Sequence, residues 1–316
     1  MSEINCLDSK HGDNYAIYNG DCVDVCRQMP DRSVDFVVYS PPFANLYTYS
    51  DNDRDMGNTV DEHSFIAHYR YLAHELTRML RPGRMIAVHC FDLPRFKYKH
   101  GYTGIHDFSG DLRKVHEETG LSYVARITIW KDPVTAMQRT KAHNLLYKNL
   151  RKDSTGSWPN IPDYVLLFRK HEGGERGAEG VEPVPHTRES FPIDQWQKWA
   201  SPVWLTNQTT AGTHALASHV MMDVDQGRTL NVRASREEGD ERHMCPLQLD
   251  LIERLMVMYS NEGDVVFSPF AGVGSEGVVA LDMKRRFAGV ELKPSYFTTA
   301  GRNLEESDKD AQTSMF

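Results

Sequence analysis

The chain has 316 residues, 40% of them apolar and 25% charged, and a net charge of -8. That length holds one large α/β domain with a smaller inserted or appended one, and the composition is ordinary for a globular protein. No apolar run approaches the ~18 residues of a membrane span, and the negative charge by itself argues weakly against nucleic-acid binding.

The opening residues, MSEINCLDSKHGDN, are polar and acidic, unlike a signal peptide. Five irregularly spaced cysteines point to reduced thiols and a cytoplasmic home. Cys22 and Cys26 stand one helical turn apart, but no second pair completes a zinc site, so no metal is expected.

Asn14 to Asp21 reads as a short strand ending in a Gly-Asp turn. VDFVVYS, from Val34, is a continuous apolar run, as expected of a strand buried on both faces of a parallel sheet. It runs straight into Ser40-Pro41-Pro42-Phe43. Phe65, Ile66, Tyr69, Leu72, Leu76, Met79 and Leu80 recur at helical spacing, and Arg81-Pro82-Gly83 stops that helix. RMIAVHC is the next strand. Ser109 to Thr119 predicts a helix capped by Ser109. YVARITIW and DYVLLFRK predict two further strands, with a basic, loop-like stretch between them.

Charge is uneven along the chain. Arg126 to Lys152 holds seven Lys/Arg and one acid, Asp132. Arg95, Lys97 and Lys99 surround Tyr98 in a second basic stretch. Either is a solvated surface or a track for phosphates.

Residues 171–242 shift in composition: a Gly/Glu/Pro-rich linker precedes a segment with three of the five tryptophans. Trp196, Trp199 and Trp204 form a small core or a DNA wedge, the core being the plainer reading. Asn207, Gln208 and Arg228 could read base edges or be solvated. Beyond the insert, Leu247, Leu251, Ile252, Leu255, Met258 and Tyr259 mark a helix with Pro246 suited to its first turn. DVVFSPF is a strand, AGVGSEG a glycine turn into a helix, RFAGVEL a strand, and a last helix starts near Ser295. The tail EESDKDAQTSMF is expected to fray. Strands alternate with helices, which predicts an α/β fold with a mostly parallel sheet and helices on both faces.

Gly272, Gly274 and Gly277 sit between a strand and a helix, and Glu291 ends the next strand. Such a turn lets a ligand approach the backbone, and such an acid commonly accepts ribose hydroxyls. A tight turn for helix–sheet packing is the plain alternative. The pattern is neither G-x-G-x-x-G nor a P-loop.

Ser-Pro-Pro-Phe after one buried strand and Phe-x-Gly-x-Gly after another resemble the S-adenosylmethionine-dependent DNA amino-methyltransferases, over about 14–170 and 241–305. With the catalytic motif first and the cofactor motif last, the order resembles the permuted β-class. The resemblance implies a Rossmann-like fold in three parts: a catalytic half, 1–170; an inserted target-recognition region, 171–242; and a cofactor-binding half, 243–316. NGDCVDV resembles the segment beside the cofactor's adenine, which implicates Asp21 and Cys22. RHMCPLQLDLIERL resembles the segment before the methionine-binding helix, which implicates His243. Phe270, Gly272, Gly274, Ser275 and Glu291 complete the implied cofactor set. Two departures stand out: Ser268 occupies the place of an Asp before Pro-Phe, and the usual His-Pro segment is altered.

The resemblance implies methyl transfer to an exocyclic amine of a base flipped out of double-stranded DNA. An exocyclic amine is a poor nucleophile because its lone pair is delocalised into the ring. Two acceptors, the Ser40 hydroxyl and the Pro41 carbonyl, can draw it towards a tetrahedral shape. Pro41 and Pro42 fix φ and donate nothing, so those acceptors stay aimed. Phe43 can stack on the base at ~1–3 kcal/mol. Serine in this motif goes mainly with N4 of cytosine, Asp mainly with N6 of adenine. Lys131, Arg139, Lys141, Lys148, Arg151 and Lys152 are expected on DNA phosphates. Tyr47 and Tyr49 line the base pocket or pack the loop. A homodimer and a separate restriction nuclease are compatible with the class. An inactive DNA-binding regulator, or a methyltransferase acting on RNA, are the alternatives.

Overall fold

The structure is a computed structural model, and it describes residues 4–46, 54–133, 147–157, 159–171, 183–206, 222–225, 227–232 and 246–313. One sheet dominates. Its strands are β1 (Asp8–His11), β2 (Tyr15–Asn19), β3 (Val34–Tyr39), β4 (Leu80–Phe91), β7 (Leu121–Trp130), β8 (Asp163–Lys170), β9 (Val203–Thr206), β10 (Met222–Val224), β11 (Val265–Ser268) and β12 (Arg286–Glu291). A separate small hairpin pairs β5 (Leu93–Arg95) with β6 (Gly104–His106). The order across the main sheet is β1-β2-β12-β11-β3-β4-β8-β7-β9-β10.

Six of its nine adjacent pairs are parallel; the exceptions are β1/β2, β4/β8 and β7/β8. The mostly parallel α/β expectation therefore holds. The middle strands are buried on both faces, with β3 buried at every position, as its unbroken apolar run requires.

Each face carries helices. On one lie α1 (Cys22–Gln28), α2 (Glu62–Met79) and α4 (Phe108–Glu118). α2 turns Phe65, Tyr69, Leu72, Leu76 and Met79 inward, and each such side chain contributes about 1.5–3 kcal/mol by leaving water. The Asp61 carboxylate accepts from Ser64 N–H at 2.7 Å and starts the helix. On the other face lie α7 (Leu249–Tyr259), α8 (Ser275–Asp282) and α9 (Pro294–Thr313). Their apolar sides meet Ile17, Phe36, Val38, Val266 and Phe287 of the sheet. Three shorter helices, α3 (Lys97–His100), α5 (Tyr147–Lys152) and α6 (Ile193–Trp199), lie outside these layers.

Some local expectations are corrected. Asp107, not Ser109, caps α4, its carboxylate accepting from Gly110 N–H at 2.8 Å. Ser109 is instead buried in the first turn, where its own N–H donates to Asp92. Pro246 precedes α7 by three residues rather than opening it, because Gln248 takes the cap position. The tail expected to fray is helical as far as Thr313. Its acids serve as anchors: Glu305 pairs with Lys10 at 2.6 Å, and Asp308 accepts from Asn14 Nδ2 at 2.9 Å and Asp13 N–H at 3.1 Å. Between β7 and β8 the described residues include α5 and a 3-10 turn at Ser154–Gly156, so that stretch is not all loop. Among the described residues no helix is long and apolar enough to cross a membrane.

Candidate active site

Two strands from distant parts of the sequence lie side by side. β3 pairs with β11 in the register Val266↔Phe36 and Phe267↔Val37. Ser40 and Phe270 each follow three residues after a paired position, so both leave the sheet at one level. From β3 the chain crosses through α2 to β4; from β11 it crosses through α8 to β12 on the opposite side. The order of the sheet reverses between them, and the crevice beyond the carboxyl ends of strands at such a point is where ligands bind in open α/β sheets.

A cavity of about 280 Å³ opens there. Ser40, Pro41, Pro42 and Phe43 line one part of it, and Phe270, Gly272, Ser275 and Glu276 another. Asp21, Cys22, Glu291 and Lys293 line the part beside β2 and β12. The two motif segments, separated by some 230 residues, share one cavity.

The glycine turn is built for this. Gly272 has φ 54° and Gly274 φ 90°, the left-handed region that other residues rarely enter. A Cβ on Gly272 would meet nothing within 4 Å, so that backbone is open to a ligand. A Cβ on Gly274 would lie 3.4 Å from the Ala300 backbone of α9. Gly274 caps α8 and lets α9 approach; it does not line the cavity. Glu291 fixes the turn from below, its carboxylate accepting the N–H of Gly272 and of Lys293, each at 2.8 Å. Burial still pushes its carboxyl up to about 7, against those two bonds and the Lys293 charge. Asp21 caps α1, accepting from Val23 and Asp24 N–H at 2.9 Å each, and so sets the Gly20–Asp21 turn at the cavity wall. Cys22 and Cys26 are buried thiols, both pushed well up by burial.

Behind Ser40 stands a chain of polar groups that the sequence did not announce. Tyr39 pairs with Val88, so Ser40 faces His89 across β3 and β4. Ser40 Oγ and His89 Nδ1 are 3.1 Å apart, and His89 Nε2 lies 3.1 Å from Asp163 Oδ2. Lys131 Nζ also pairs with Asp163. Burial works to raise the Asp163 carboxyl, but the Lys131 ammonium and the His89 ring outweigh it and hold it at about 2. The carboxylate is therefore charged; the tautomer with its proton on Nε2, facing that carboxylate, is the one in which Nδ1 accepts from the Ser40 hydroxyl. β7 and β8 run antiparallel, with Ile129↔Asp163 in register, which brings Lys131 and Asp163 to the same end of the sheet as Ser40. The only sequence signal for His89 and Asp163 was a polar residue inside or at the start of an apolar strand.

Phe43 and Phe91 form an aromatic wall, ring centroids 4.2 Å apart at 44°. Lys131 lines the cavity, whereas Lys148, Arg151 and Lys152 lie exposed on α5. Arg139, Lys141, His243, Tyr47, Tyr49, Asn207 and Gln208 lie outside the described residues. Trp204 is 2% exposed, and Arg254 of α7 lies 5.3 Å from its ring and 5.4 Å from that of Trp199. Trp204 thus joins the main sheet core rather than a separate small one, Trp199 is half-buried against Phe191, and Trp196 is 53% exposed. Arg228 holds Glu253 with both terminal nitrogens and pairs with Asp250, which occupies the guanidinium expected among base-reading candidates.

Comparison with known proteins follows the same lines. The N6_N4_Mtase profile, described as DNA methylase, matches residues 34–302. Type II methyltransferase M.BamHI of Bacillus amyloliquefaciens is 26% identical over 300 residues, covering 93% of this chain and 58% of the relative. Type II methyltransferase M.BglII of Bacillus subtilis is 22% identical over 284 residues, covering 90% of this chain and 67% of the relative. The chain thus spans about three-fifths to two-thirds of the length of these relatives. Two solved structures share the fold: TTHA0409 of Thermus thermophilus complexed with S-adenosyl-L-methionine, and PvuII DNA methyltransferase (cytosine-N4-specific). For the first, the TM-score is 0.63 at 23% identity, with coverage of 92% of this chain and 93% of that one. For the second, the TM-score is 0.63 at 17% identity, with coverage of 98% and 95%.

Proposed function

This chain belongs to the N6/N4 DNA methylase family, and from that premise we propose that it transfers a methyl group from S-adenosylmethionine to an exocyclic amine of a base flipped out of duplex DNA, N4 of cytosine ahead of N6 of adenine. The observation that carries the reading is the single cavity shared by Ser40-Pro41-Pro42-Phe43 and the Phe270–Ser275 turn. The order of those two segments along the chain supports the permuted β-class. Residues 171–242 are the target-recognition region in this reading, between halves 1–170 and 243–316.

The cavity fits the cofactor. The open backbone at Gly272, the Glu291 carboxylate and the buried Ser275 hydroxyl, unpartnered among the described residues, offer an acceptor and donors where a nucleoside and an amino-acid end would lie. When bound, the cofactor supplies an electrophilic methyl group on a sulfonium.

The protein's own part is positioning and proton handling. Ser40 Oγ, its hydroxyl proton directed at His89 Nδ1, offers its lone pairs to one amine N–H. The Pro41 carbonyl accepts the other. As the N–C bond forms and the sulfonium's C–S bond breaks to leave a neutral thioether, the amine proton would pass to Ser40 Oγ while the Ser40 proton passes to His89 Nδ1. The imidazolium then rests against Asp163. Phe43 and Phe91 hold the base plane, and such aromatic contacts are worth about 1–3 kcal/mol per base. A hydroxyl backed by imidazole is a neutral acceptor, which suits the amine of cytosine. Lys148, Arg151 and Lys152 meet DNA phosphates. A separate restriction nuclease and self-association into a homodimer belong to the same proposal.

The test is tritiated methyl incorporation into duplex DNA, followed by nucleoside mass spectrometry. N4-methylcytosine is expected, and Ser40→Ala should lower kcat at least ~10²-fold, the scale of a lost acid–base partner. N6-methyladenine would reverse the order of targets. A Ser40→Ala enzyme as active as wild type would remove Ser40 from the mechanism.

A further inference from the structure

Five carboxylates line the cavity: Asp21, Asp55, Asp163, Glu276 and Glu291. Four are engaged. Asp21 caps α1. Asp55 accepts from Gly57 N–H at 2.8 Å. Asp163 holds Lys131 and His89. Glu291 holds the glycine turn. The fifth is different. Glu276 stands in the first turn of α8 and is only 4% exposed. Among the described residues its carboxylate has no hydrogen-bond or ion-pair partner outside its own backbone N–H. A carboxylate withdrawn from water without a partner is costly to keep charged, and burial, with the Glu291 charge adding, pushes this carboxyl up to about 8. A cation entering the cavity would relieve that cost.

The surroundings narrow which cation. Ser275, the preceding residue, lines the same cavity, and its buried hydroxyl has no partner among the described residues. Both residues lie at the N-terminus of α8, an eight-residue helix whose first-turn N–H groups favour an anion. One helical turn thus offers donors for a carboxylate beside an acceptor for an ammonium, which is complementary to an amino-acid zwitterion.

We propose that Glu276 is the anchor for the α-ammonium of the methionine end of S-adenosylmethionine. This rests on the cofactor reading above and adds to it. It also accounts for Ser268, which is fully buried on β11 and supplies no negative charge where the resembling motif has an Asp. The carboxylate that the strand end lacks is provided from the first turn of α8.

Calorimetric titration separates the possibilities. The two probes are S-adenosylmethionine and 5′-deoxy-5′-methylthioadenosine, which keeps the nucleoside and lacks the amino acid. Glu276→Gln should weaken S-adenosylmethionine binding about 10–100-fold, the scale of a lost charge-assisted hydrogen bond, and leave methylthioadenosine within ~2-fold. Glu276→Asp, which keeps the charge, should bind S-adenosylmethionine more tightly than Glu276→Gln. Equal losses for both probes, or no loss for either, would overturn the assignment, because the role would then be one of shape or none. Wild-type protein that binds neither probe would overturn the cofactor reading itself, and this assignment with it. Glu276→Gln replaces a buried carboxyl that is costly to ionise, so its ligand-free thermal unfolding should match or exceed wild type, which guards the comparison against misfolding.

Discussion

At the scale of single residues, the site separates groups that touch reactants from groups that hold them. Ser40 is of the first kind; His89 and Asp163 act through it. His89→Gln should therefore lower kcat more than it raises KM for DNA, with S-adenosylmethionine affinity unchanged. An unchanged kcat would make His89 a packing residue only. Asp163 also bears on stability. Its carboxyl is held at about 2 in the fold against about 3.9 in an unfolded chain. A depressed carboxyl stabilises fully above the unfolded value, and that stabilisation is lost as pH falls through the folded one. Urea unfolding should show Asp163→Asn less stable than wild type at pH 7, with the gap closing between about pH 4 and 2. Glu276 and Glu291 have the opposite sign, with folded values of about 8 and 7. The fold binds their protons more tightly than the unfolded chain, so each withdraws stability as pH rises from about 4.3 towards the folded value. Ligand-free melting temperature should fall from pH 5 to 8, and less steeply in Glu276→Gln.

Elements are joined by a second polar cluster, at the other end of the sheet from the cavity. Asp35, at 1% exposure in β3, accepts from Arg81 at 2.7 Å and from Val265 N–H of β11 at 2.9 Å. Arg84 of β4, itself 4% exposed, lies 3.6 Å from the same carboxylate and 3.1 Å from Asp264. This cluster pins β3 between β4 and β11 and so fixes the register that sets Ser40 level with Phe270. Asp35→Ala should cost about 3–5 kcal/mol, the range for breaking a buried ion pair from one side, measured by urea unfolding. Helices were mostly legible because apolar spacing is a local property. α2 and α7 follow from it directly. Their caps were less so: Ser109 and Asp107 both suit a cap position, and only the packing of Phe108 decides between them. β1, β5 and β6 span only three or four residues each, so they carry no alternation long enough to read.

For the molecule as a whole, the net charge of -8 conceals a basic surface. If α5 meets phosphates, replacing Lys148, Arg151 and Lys152 with Ala should flatten the dependence of log Kd on log salt by about 0.9 for each phosphate no longer neutralised, with cofactor affinity unchanged. A slope equal to wild type would place the DNA elsewhere. By itself the sequence determined the alternation of strands and helices, the Ser-Pro-Pro-Phe and glycine turns, and the acid at Glu291, because each is written in a few neighbouring residues. Only the tertiary structure decided that β3 and β11 are neighbours, that His89, Asp163 and Lys131 stand in line behind Ser40, and that, among the described residues, Glu276 alone of the cavity's acids has no partner outside its own backbone. Those facts depend on which strands pair and in what register, and pairing energy is summed over the whole sheet rather than encoded in any one segment.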